Sequence, residues 1–589
     1  MSKQRLTTVV FLASVVAVTW WAQFPTIRQP LMEYYGFRQT QTAWQAETLS
    51  TGEGSLLHPK LPVFGHPWEV PFEMPIFQLS GSWMMQLFNL PSDAASRLAS
   101  LIWFSLCLTP LWLISRRFLG RRDSALCILL FSFSPLAIIV NRAALIEYCA
   151  VFFSLLFIYF MIKIFDSPRR LDLLSAAVAG ALAATVKSTT FIGAVIFIGI
   201  LYLFPTVQRL RSEREWSIRL WGPAFPVGFA LFAMLLWTRH ADAIKTASDA
   251  TRWLTSRNLT EWNFGTIRQR LYLPNYRTVM QHLDEGFGTV SVGVLALSAP
   301  LFFSQDKRSR LASSALSAAA LTVFLFFNLY VVHGYYYVAI APYIALCVAG
   351  LVSVLISTLL AGSPIHRLMS VGAIALLLLF SSLQARAESL DYFRNGPHIY
   401  NTDLQAYVPP DVYVLVADSD WNPEYLYGNK RRGVMLNNPG MNMEFLRSLP
   451  DLERYGYVVG PAYNLDLFSL KRFASPIKTD LFAIANLINE LPRNSFALDS
   501  QVSTVGTSAQ DIRITCNQND VIYPSEVPRN AHLEVAKNPK QQIVFTNSGS
   551  ALPTGIVLIP TQLDDDSTPV GITCAGGGSL VMRVRLNHP

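Results

Sequence analysis

The chain has 589 residues, of which 51% are hydrophobic and 15% charged, and its mean hydropathy is +0.32. An ordinary soluble domain carries about 25% charged residues, and a disordered chain combines low hydrophobicity with high net charge, so both are excluded. The formal charge of +8 and a pI near 9.1 suit either a nucleic-acid binder or a membrane protein oriented by basic loops, and six cysteines exclude a disulfide-rich scaffold.

Crossing a bilayer takes about 20 mostly apolar residues, and about eleven such stretches occur. They lie near Thr7 to Phe24, Ala94 to Ser115, Ser124 to Val140, Tyr148 to Phe165, Leu173 to Val186 and Phe191 to Pro205. The remainder lie near Leu220 to Thr238, Gly288 to Ser304, Leu311 to Val332, Tyr337 to Ala361 and Leu368 to Gln384. The first is flanked by Trp20-Trp21-Ala22-Gln23, a poor small-residue cleavage site, so it reads as a retained span and not a signal peptide.

Basic loops orient the spans. With Lys3 and Arg5 cytoplasmic, alternation places Arg116, Arg117, Arg121, Arg122, Arg169, Arg170, Arg209, Arg211, Arg214, Arg219, Lys307, Arg308 and Arg310 inside. The basic loop from Arg239 to Leu283 lies outside, but long loops obey the rule weakly. An odd number of spans puts the C-terminus outside. The expected location is the inner (plasma) membrane of a cell, multi-pass, with an extracytoplasmic, periplasmic C-terminal domain.

The expected fold class is therefore an α-helical polytopic membrane protein with a C-terminal α/β or β-rich domain. Its parts are residues 1–387, including a first outer loop at 25–93, and residues 388–589. In the loop, Thr40 to Leu49 predicts an amphipathic helix, and Pro75 to Phe88, with Trp83, Met84, Met85, Leu87 and Phe88, an interfacial one. In the tail, Val412 to Val416 and Tyr455 to Val459 read as strands with short helices between them. The pattern turns strand-rich after about Ser495. Cys107, Cys127, Cys149 and Cys347 fall in or beside apolar spans, where a thiol acts as a small hydrophobe. Cys516 and Cys574 are the two cysteines of the tail. Export favours a disulfide between them, against the alternative of two buried thiols.

No Walker loop, dinucleotide fingerprint, HExxH or metal-spaced Cys/His cluster occurs, so no metal or other cofactor is expected. Asp564-Asp565-Asp566 lacks the alternating spacing of a calcium loop and reads as a solvated turn. The informative residues are ionisable groups at the outer ends of spans, where charge is costly and serves a site or an ion pair. These are Arg38, Glu73, Arg142, Glu147, Lys187 and the cluster His333-Gly334-Tyr335-Tyr336. A salt-bridge network explains each one singly. Their convergence on one side favours a functional site.

Several segments resemble the GT-C superfamily of multispanning glycosyltransferases, in particular the bacterial relatives of the protein O-mannosyltransferases and the lipid A aminoarabinose transferase. The similar text is Tyr35-Gly-Phe-Arg-Gln-Thr-Gln-Thr-Ala43, Pro62-Val-Phe-Gly-His-Pro-Trp68, Pro71-Phe-Glu-Met-Pro-Ile-Phe-Gln78 and Arg97-Leu-Ala-Ser100. It continues with Ser134-Pro135, Asn141-Arg-Ala143 leading to Glu147, Thr185-Val-Lys187, and His333-Gly-Tyr-Tyr336 with Pro342. The tail adds Asp420-Trp-Asn-Pro-Glu424 and Arg431-Arg-Gly433.

The resemblance implies an inverting transfer of a sugar from a polyprenyl-phosphate carrier to a lipid, glycan or protein acceptor at the outer membrane face, without a metal. Such a substitution needs a base for the acceptor hydroxyl and cations for the departing phosphate. Arg38, Gln39, Gln41, Arg142, Lys187, His333, Tyr335 and Tyr336 are the implied substrate-binding residues. Many relatives carry an Asp-Glu pair where this chain has Arg38-Gln39, and neither residue is an ordinary base. The Lys that often follows the Phe-Glu text is Met74 here. The base is then Glu73, Glu147 or Glu33, with Glu73 first; its alternative role is to pair with Arg38 and hold the loop.

Three other classes compete. A flippase or transporter of lipid-linked glycan needs a polar path through the spans, whose middles carry few ionisable residues. An oligosaccharide polymerase or ligase shares the chemistry but uses a diphosphate donor. A tail-centred sensor needs one anchor and not about eleven spans. Trp421, Tyr425 and Tyr427 of the tail read as α/β core more readily than as a sugar platform. Residues 1–387 hold 31 Lys+Arg against 18 Asp+Glu, whereas residues 388–589 hold 16 against 21. The basic excess thus belongs to the membrane part, and no nucleic-acid partner is expected.

Overall fold

The computed structural model describes residues 3–203, 218–288 and 306–359, most of 400–436, residues 454–461, and beyond these a few isolated positions and the backbone of further strands. Its contacts divide the chain into Met1–Leu61 with Glu69–Tyr400, and Pro62–Trp68 with Asn401–Pro589. The division falls at Tyr400, past the expected boundary at 387, and assigns a piece of the first loop to the tail unit.

The first unit is helical. α1 (Lys3–Gln23) stops at a 3-10 turn, Phe24–Thr26, where Pro25 lacks the N–H that would continue the helix. The loop beyond it folds as α2 (Gly36–Ser50) and α3 (Ile76–Phe88). α3 buries Phe77, Gln78, Gly81 and Ser82 and leaves Trp83, Leu87 and Phe88 exposed, as an interfacial helix does. α2 covers the helix expected at Thr40 to Leu49, and it buries polar residues, among them Gln39, Thr40, Gln41, Thr42 and Gln45. Gln39 and Gln45 hydrogen-bond other segments, whereas Thr40 and Thr42 donate back to Gly36 O and Arg38 O of their own helix.

α4 (Ser92–Phe118), α5 (Arg121–Phe133), α6 (Pro135–Val140), α7 (Glu147–Asp166), α8 (Arg170–Val186), α9 (Ser188–Ile198) and α10 (Ile218–Thr246) follow. Ser134 caps α6, its hydroxyl accepting from Ala137 N at 3.2 Å, and Pro135 opens it. α11 (Thr260–Phe264), α12 (Ile267–Leu271) and α13 (Leu273–Phe287) are next. Then come α14 (Lys307–Leu325), α15 (Phe327–Val332), a 3-10 segment Gly334–Ala339 and α16 (Ala341–Leu359). α7 packs on α4 and α8, α8 on α10, and α14 on α16. One apolar core runs through them, with Phe104, Phe131, Phe157, Phe191 and Phe197 fully buried. Gly180 of α8 lets three helices meet: a Cβ there would lie 2.9 Å from Phe157 Cδ2 and 3.1 Å from Ala230 Cβ.

Among the described residues four helices are long and apolar enough to cross a membrane: Gln4–Thr26, Ser92–Phe118, Glu147–Asp166 and Gly222–Thr246. Other expected spans are interrupted. The Ser124 to Val140 stretch breaks at Ser134-Pro135, and the Leu311 to Val332 stretch breaks at Phe326. The stretches expected at 288–304 and 368–384 lie outside the described residues, apart from Gly288 and Leu383.

The deepest charge in this unit is Arg97 of α4. It donates Nε to Gln29 O at 3.2 Å and Nη2 to Pro30 O at 2.8 Å and Glu33 Oε2 at 2.7 Å, while Nη1 pairs with Glu33 Oε1. The two side chains are 0% and 1% exposed. A bidentate pair closed by backbone carbonyls satisfies the buried guanidinium and clamps the loop after α1 onto α4. Tyr400 adds a second tie, accepting from Leu31 N at 2.7 Å and donating to Asp93 Oδ2 at 2.9 Å.

In the second unit β1 (Tyr413–Ala417), α17 (Glu424–Asn429) and β2 (Gly433–Leu436) form a parallel βαβ turn. With β3 (Tyr455–Pro461), β4 (Ile477–Lys478) and β5 (Phe482–Asn486) they make a sheet of order β2-β1-β3-β5-β4. The strands expected at 412–416 and 455–459 are β1 and β3. Residues 62–65 line the β2 edge: Gly433 N donates to Pro62 O at 3.1 Å, Met435 N to Val63 O at 2.9 Å and Gly65 N to Gly433 O at 3.2 Å. Phe64 packs on Trp421 and Trp68 on Tyr413, with ring centroids 5.5 and 5.0 Å apart, so Trp421 serves packing.

The strand-rich end carries β6 (Gln510–Cys516), β7 (Val521–Ile522), β8 (Ala531–Ala536), β9 (Ile543–Val544), β10 (Val557–Ile559), β11 (Ile572–Cys574) and β12 (Gly578–Leu586). These form sheets of order β10-β8-β12-β6 and β7-β11-β9. Cys516 and Cys574 end strands of different sheets; their side chains, and Asp564 to Asp566, lie outside the described set.

Breaking a buried pair on one side leaves an unpaired charge, at a cost of about 3–5 kcal/mol. Glu33→Gln is therefore expected to lower the thermal unfolding midpoint of the detergent-solubilised protein sharply; an unchanged midpoint would remove the clamp. At the helix crossing, Gly180→Leu is expected to destabilise by about 1–3 kcal/mol. Gly228→Leu, where a Cβ meets nothing within 4 Å, should leave the midpoint in place.

Candidate active site

A cavity of about 220 Å³ opens within the first unit. Its walls come from α2 (Arg38), the segment before α3 (Phe72, Glu73), Ile146 just before α7, and the α8–α9 junction (Ala184 to Thr189). α10 adds Met234, Trp237 and Thr238, α11 adds Asn263, and Leu329, Tyr335 and Tyr336 complete it.

The α8–α9 junction is a one-residue break. Lys187 is extended (φ −159°, ψ 96°); its N–H still bonds Ala183 O at 2.9 Å, and its carbonyl accepts from Thr190 and Phe191 N at 3.1 Å each. The break turns the start of α9, with Ser188 and Thr189, toward the cavity. A helix start presents backbone donors and partial positive charge. Thr189 Oγ1 is buried there without a hydrogen-bond partner among the described residues. The Lys187 ammonium pairs with Glu147 and lies 4.2 Å from the Tyr336 ring centroid and 5.3 Å from that of Tyr335. Glu147, 1% exposed, is thus the counter-ion that holds Lys187.

Across the cavity Arg38 Nη2 donates to Glu73 Oε2 at 2.8 Å and Nη1 to Gln41 Oε1 at 2.7 Å. Gln78 Nε2 donates to Glu73 Oε1 and to Gln45 Oε1, both at 3.1 Å. Backbone bonds fix the same segment: Met74 N to Thr185 O at 3.0 Å, and Trp237 Nε1 to Phe72 O at 3.2 Å. Glu73 is the carboxylate on the cavity wall, and it forms the ion pair with Arg38 that stands as the alternative to its role as base.

Tyr335 and Tyr336 stack 4.6 Å apart, with His333 5.3 Å from Tyr335 and Tyr35 edge-on to Tyr335 at 4.9 Å. Gly334 permits this: a Cβ would lie 2.8 Å from Tyr35 Oη. Burial, with the charges of Lys187 and Arg38, pushes the His333 imidazole down to about 4. The ring is therefore neutral at physiological pH and backs the tyrosines without adding charge.

Arg38, Glu73, Lys187, Tyr335 and Tyr336 are brought together; other expected residues are placed elsewhere. Glu33, a candidate base, is sealed against Arg97 and does not line the cavity. Arg142 donates to Gln23 Oε1 at 3.0 Å and Ile138 O at 3.3 Å and lies 3.9 Å from Glu33. It belongs to that buried network and does not line the cavity. Gln39 ties Tyr34 O to Ala144 N, at 2.9 Å each, and Gln41 supports Arg38; both position the loop. The sequence does not single out Phe72, Gln78, Thr189, Trp237 or Asn263, because uncharged residues near apolar stretches carry no distinguishing signal. For Trp237 and Asn263 the only cue is the long loop that begins near them.

No curated protein matches the chain. Residues 70–240 match the family of dolichyl-phosphate-mannose-protein mannosyltransferases, a segment that includes Phe72, Glu73, Lys187 and Trp237. Among solved structures, ArnT from Cupriavidus metallidurans bound to undecaprenyl phosphate superposes with a TM-score of 0.55 at 14% identity, covering 82% of this chain and 98% of that one. The archaeal oligosaccharyltransferase AglB from Archaeoglobus fulgidus, in complex with an inhibitory peptide and a dolichol-phosphate, reaches 0.48 at 12% identity, over 83% and 75%. At such identities a structural likeness shows the fold. The likeness to ArnT over 82% of the chain is one of fold, and the family match is confined to residues 70–240.

Proposed function

We propose that the chain transfers a sugar from a polyprenyl-phosphate carrier to an acceptor hydroxyl in this cavity, at the extracytoplasmic face of the cell's plasma membrane. The observation that carries the reading is that one cavity is lined by two cations, Arg38 paired with Glu73 and Lys187 paired with Glu147, together with the Glu73 carboxylate and a helix start. A lipid carrier cannot leave the bilayer, so its phosphate must be met at the ends of apolar helices. Relatedness to ArnT, whose structure holds undecaprenyl phosphate, supports the same class of carrier here.

The acceptor hydroxyl loses its proton to Glu73 as its oxygen attacks the anomeric carbon. The carbon–oxygen bond to phosphate breaks, and the electron pair leaves with the carrier phosphate. Arg38 and Lys187 take up that charge, Arg38 by a bidentate contact; the N–H groups at the start of α9 and Thr189 Oγ1 supply further donors. Attack opposite the leaving phosphate inverts the anomeric centre. Tyr335 and Tyr336 form the wall that holds Lys187 in place. The second unit is the part proposed to present the lipid, glycan or protein acceptor.

Purified protein given a labelled polyprenyl-phosphate sugar and a hydroxyl acceptor is expected to release the carrier phosphate. Lys187→Ala should lower kcat about 10²–10³-fold, as loss of a charge-stabilising donor does. Glu73→Gln should lower it about 10²–10⁴-fold, as loss of a general base does. Wild-type rates in both variants would refute the assignment of the cavity.

A further inference from the structure

Two of the Arg–Glu pairs among the described residues of the helical unit are built differently. Arg97–Glu33 is bidentate, closed by the Gln29 and Pro30 carbonyls, and 0% and 1% exposed. Arg38–Glu73 rests on one hydrogen bond of 2.8 Å, is 20% and 9% exposed, and borders the cavity. The first is made to stay; the second is open to a competitor.

We infer that Arg38 exchanges partners, leaving Glu73 for the donor's phosphate, so that donor binding itself releases the base. The inference rests on the proposed sugar transfer and adds an order to it. While Arg38 Nη2 donates to Glu73 Oε2 at 2.8 Å, that oxygen is engaged and is not open to the hydroxyl of an acceptor. A phosphate offers Arg38 two oxygens in its fork geometry. Once Arg38 turns to it, Glu73 loses its cationic partner but keeps its place. Gln78 Nε2 still holds Oε1 at 3.1 Å and is braced by Gln45 Oε1 at 3.1 Å, both neutral amides.

The surroundings can absorb the change. Gln41 Nε2 and Gln78 Oε1 are buried without hydrogen-bond partners among the described residues. The network thus carries an unused donor and an unused acceptor on the two amides that flank the pair. Such orphans are costly in a fixed network; beside a switching arginine they are groups a second arrangement engages. It follows that the donor binds first. The acceptor proton then passes to Glu73 as the new glycosidic bond forms and the bond to phosphate breaks.

The test is the affinity of the full-length, detergent-solubilised protein for sugar-free undecaprenyl phosphate, read by Trp fluorescence. Glu73→Gln removes the rival for Arg38 and is expected to bind the carrier about tenfold tighter than wild type, although it transfers sugar more slowly. Glu73→Asp, which withdraws the carboxylate by one methylene, should lie between and serves if the Gln variant does not fold. Arg38→Met should bind at least tenfold more weakly. Wild-type or weaker affinity in both Glu73 variants, with Arg38→Met still impaired, would overturn the exchange and leave the proposed function standing. Failure of the wild type itself to bind would overturn that function and the exchange with it.

Discussion

Charge buried among apolar helices must find a partner, and three carboxylate–cation pairs organise the helical unit around that requirement. Desolvating an isolated ion costs several kcal/mol, so Glu33 with Arg97, Glu73 with Arg38 and Glu147 with Lys187 act as obligatory contacts between elements. The first fastens the loop after α1 to α4. The second joins α2 to the segment before α3. The third ties the start of α7 to the α8–α9 break. The first two pairs, with their amide supports, fix the path of the first loop at Glu33, Arg38 and Glu73.

The same constraint yields a reactive arrangement. Lys187 interrupts what would otherwise be one continuous helix, and the interruption places an ammonium, a helix start and a hydroxyl at one wall. The aromatic pair Tyr335–Tyr336 covers Lys187 from the other side, which keeps it oriented without neutralising it. In the proposed reaction Arg38 and Glu73 would supply the complementary charges, a cation for the leaving phosphate and an acceptor for a proton. The proposed reaction thus rests both roles on Arg38 and Glu73 together with Lys187.

Much of this site is legible in the amino-acid sequence, and for one reason. Arg38, Glu73, Glu147 and Lys187 are ionisable residues at the ends of apolar stretches, where chance placement is expensive. Which charge faces which is not legible, because pairing depends on tertiary geometry. Glu33 and Arg142 give the same signal as Glu73 and Lys187, yet they meet Arg97 and Gln23 in a sealed network. Gln78, Thr189, Trp237 and Asn263 give no such signal. In the fold, β1, β3 and the helix at Ile76–Phe88 follow from periodicity. The burial of α2 does not, since a run of Gln and Thr reads as a solvated surface until its hydrogen-bond partners are known. Nor does the pairing of residues 62–65 with β2, which is made by backbone groups far apart in the chain.

The most direct measurement is the position of the phosphate group in a cryo-EM structure of the intact protein with undecaprenyl phosphate. The phosphate is expected inside the cavity, within hydrogen-bond reach of both Arg38 and Lys187, with Glu73 still held by Gln78. A phosphate bound elsewhere, with the Arg38–Glu73 and Lys187–Glu147 pairs undisturbed, would contradict the assignment of this cavity as the place where sugar is transferred.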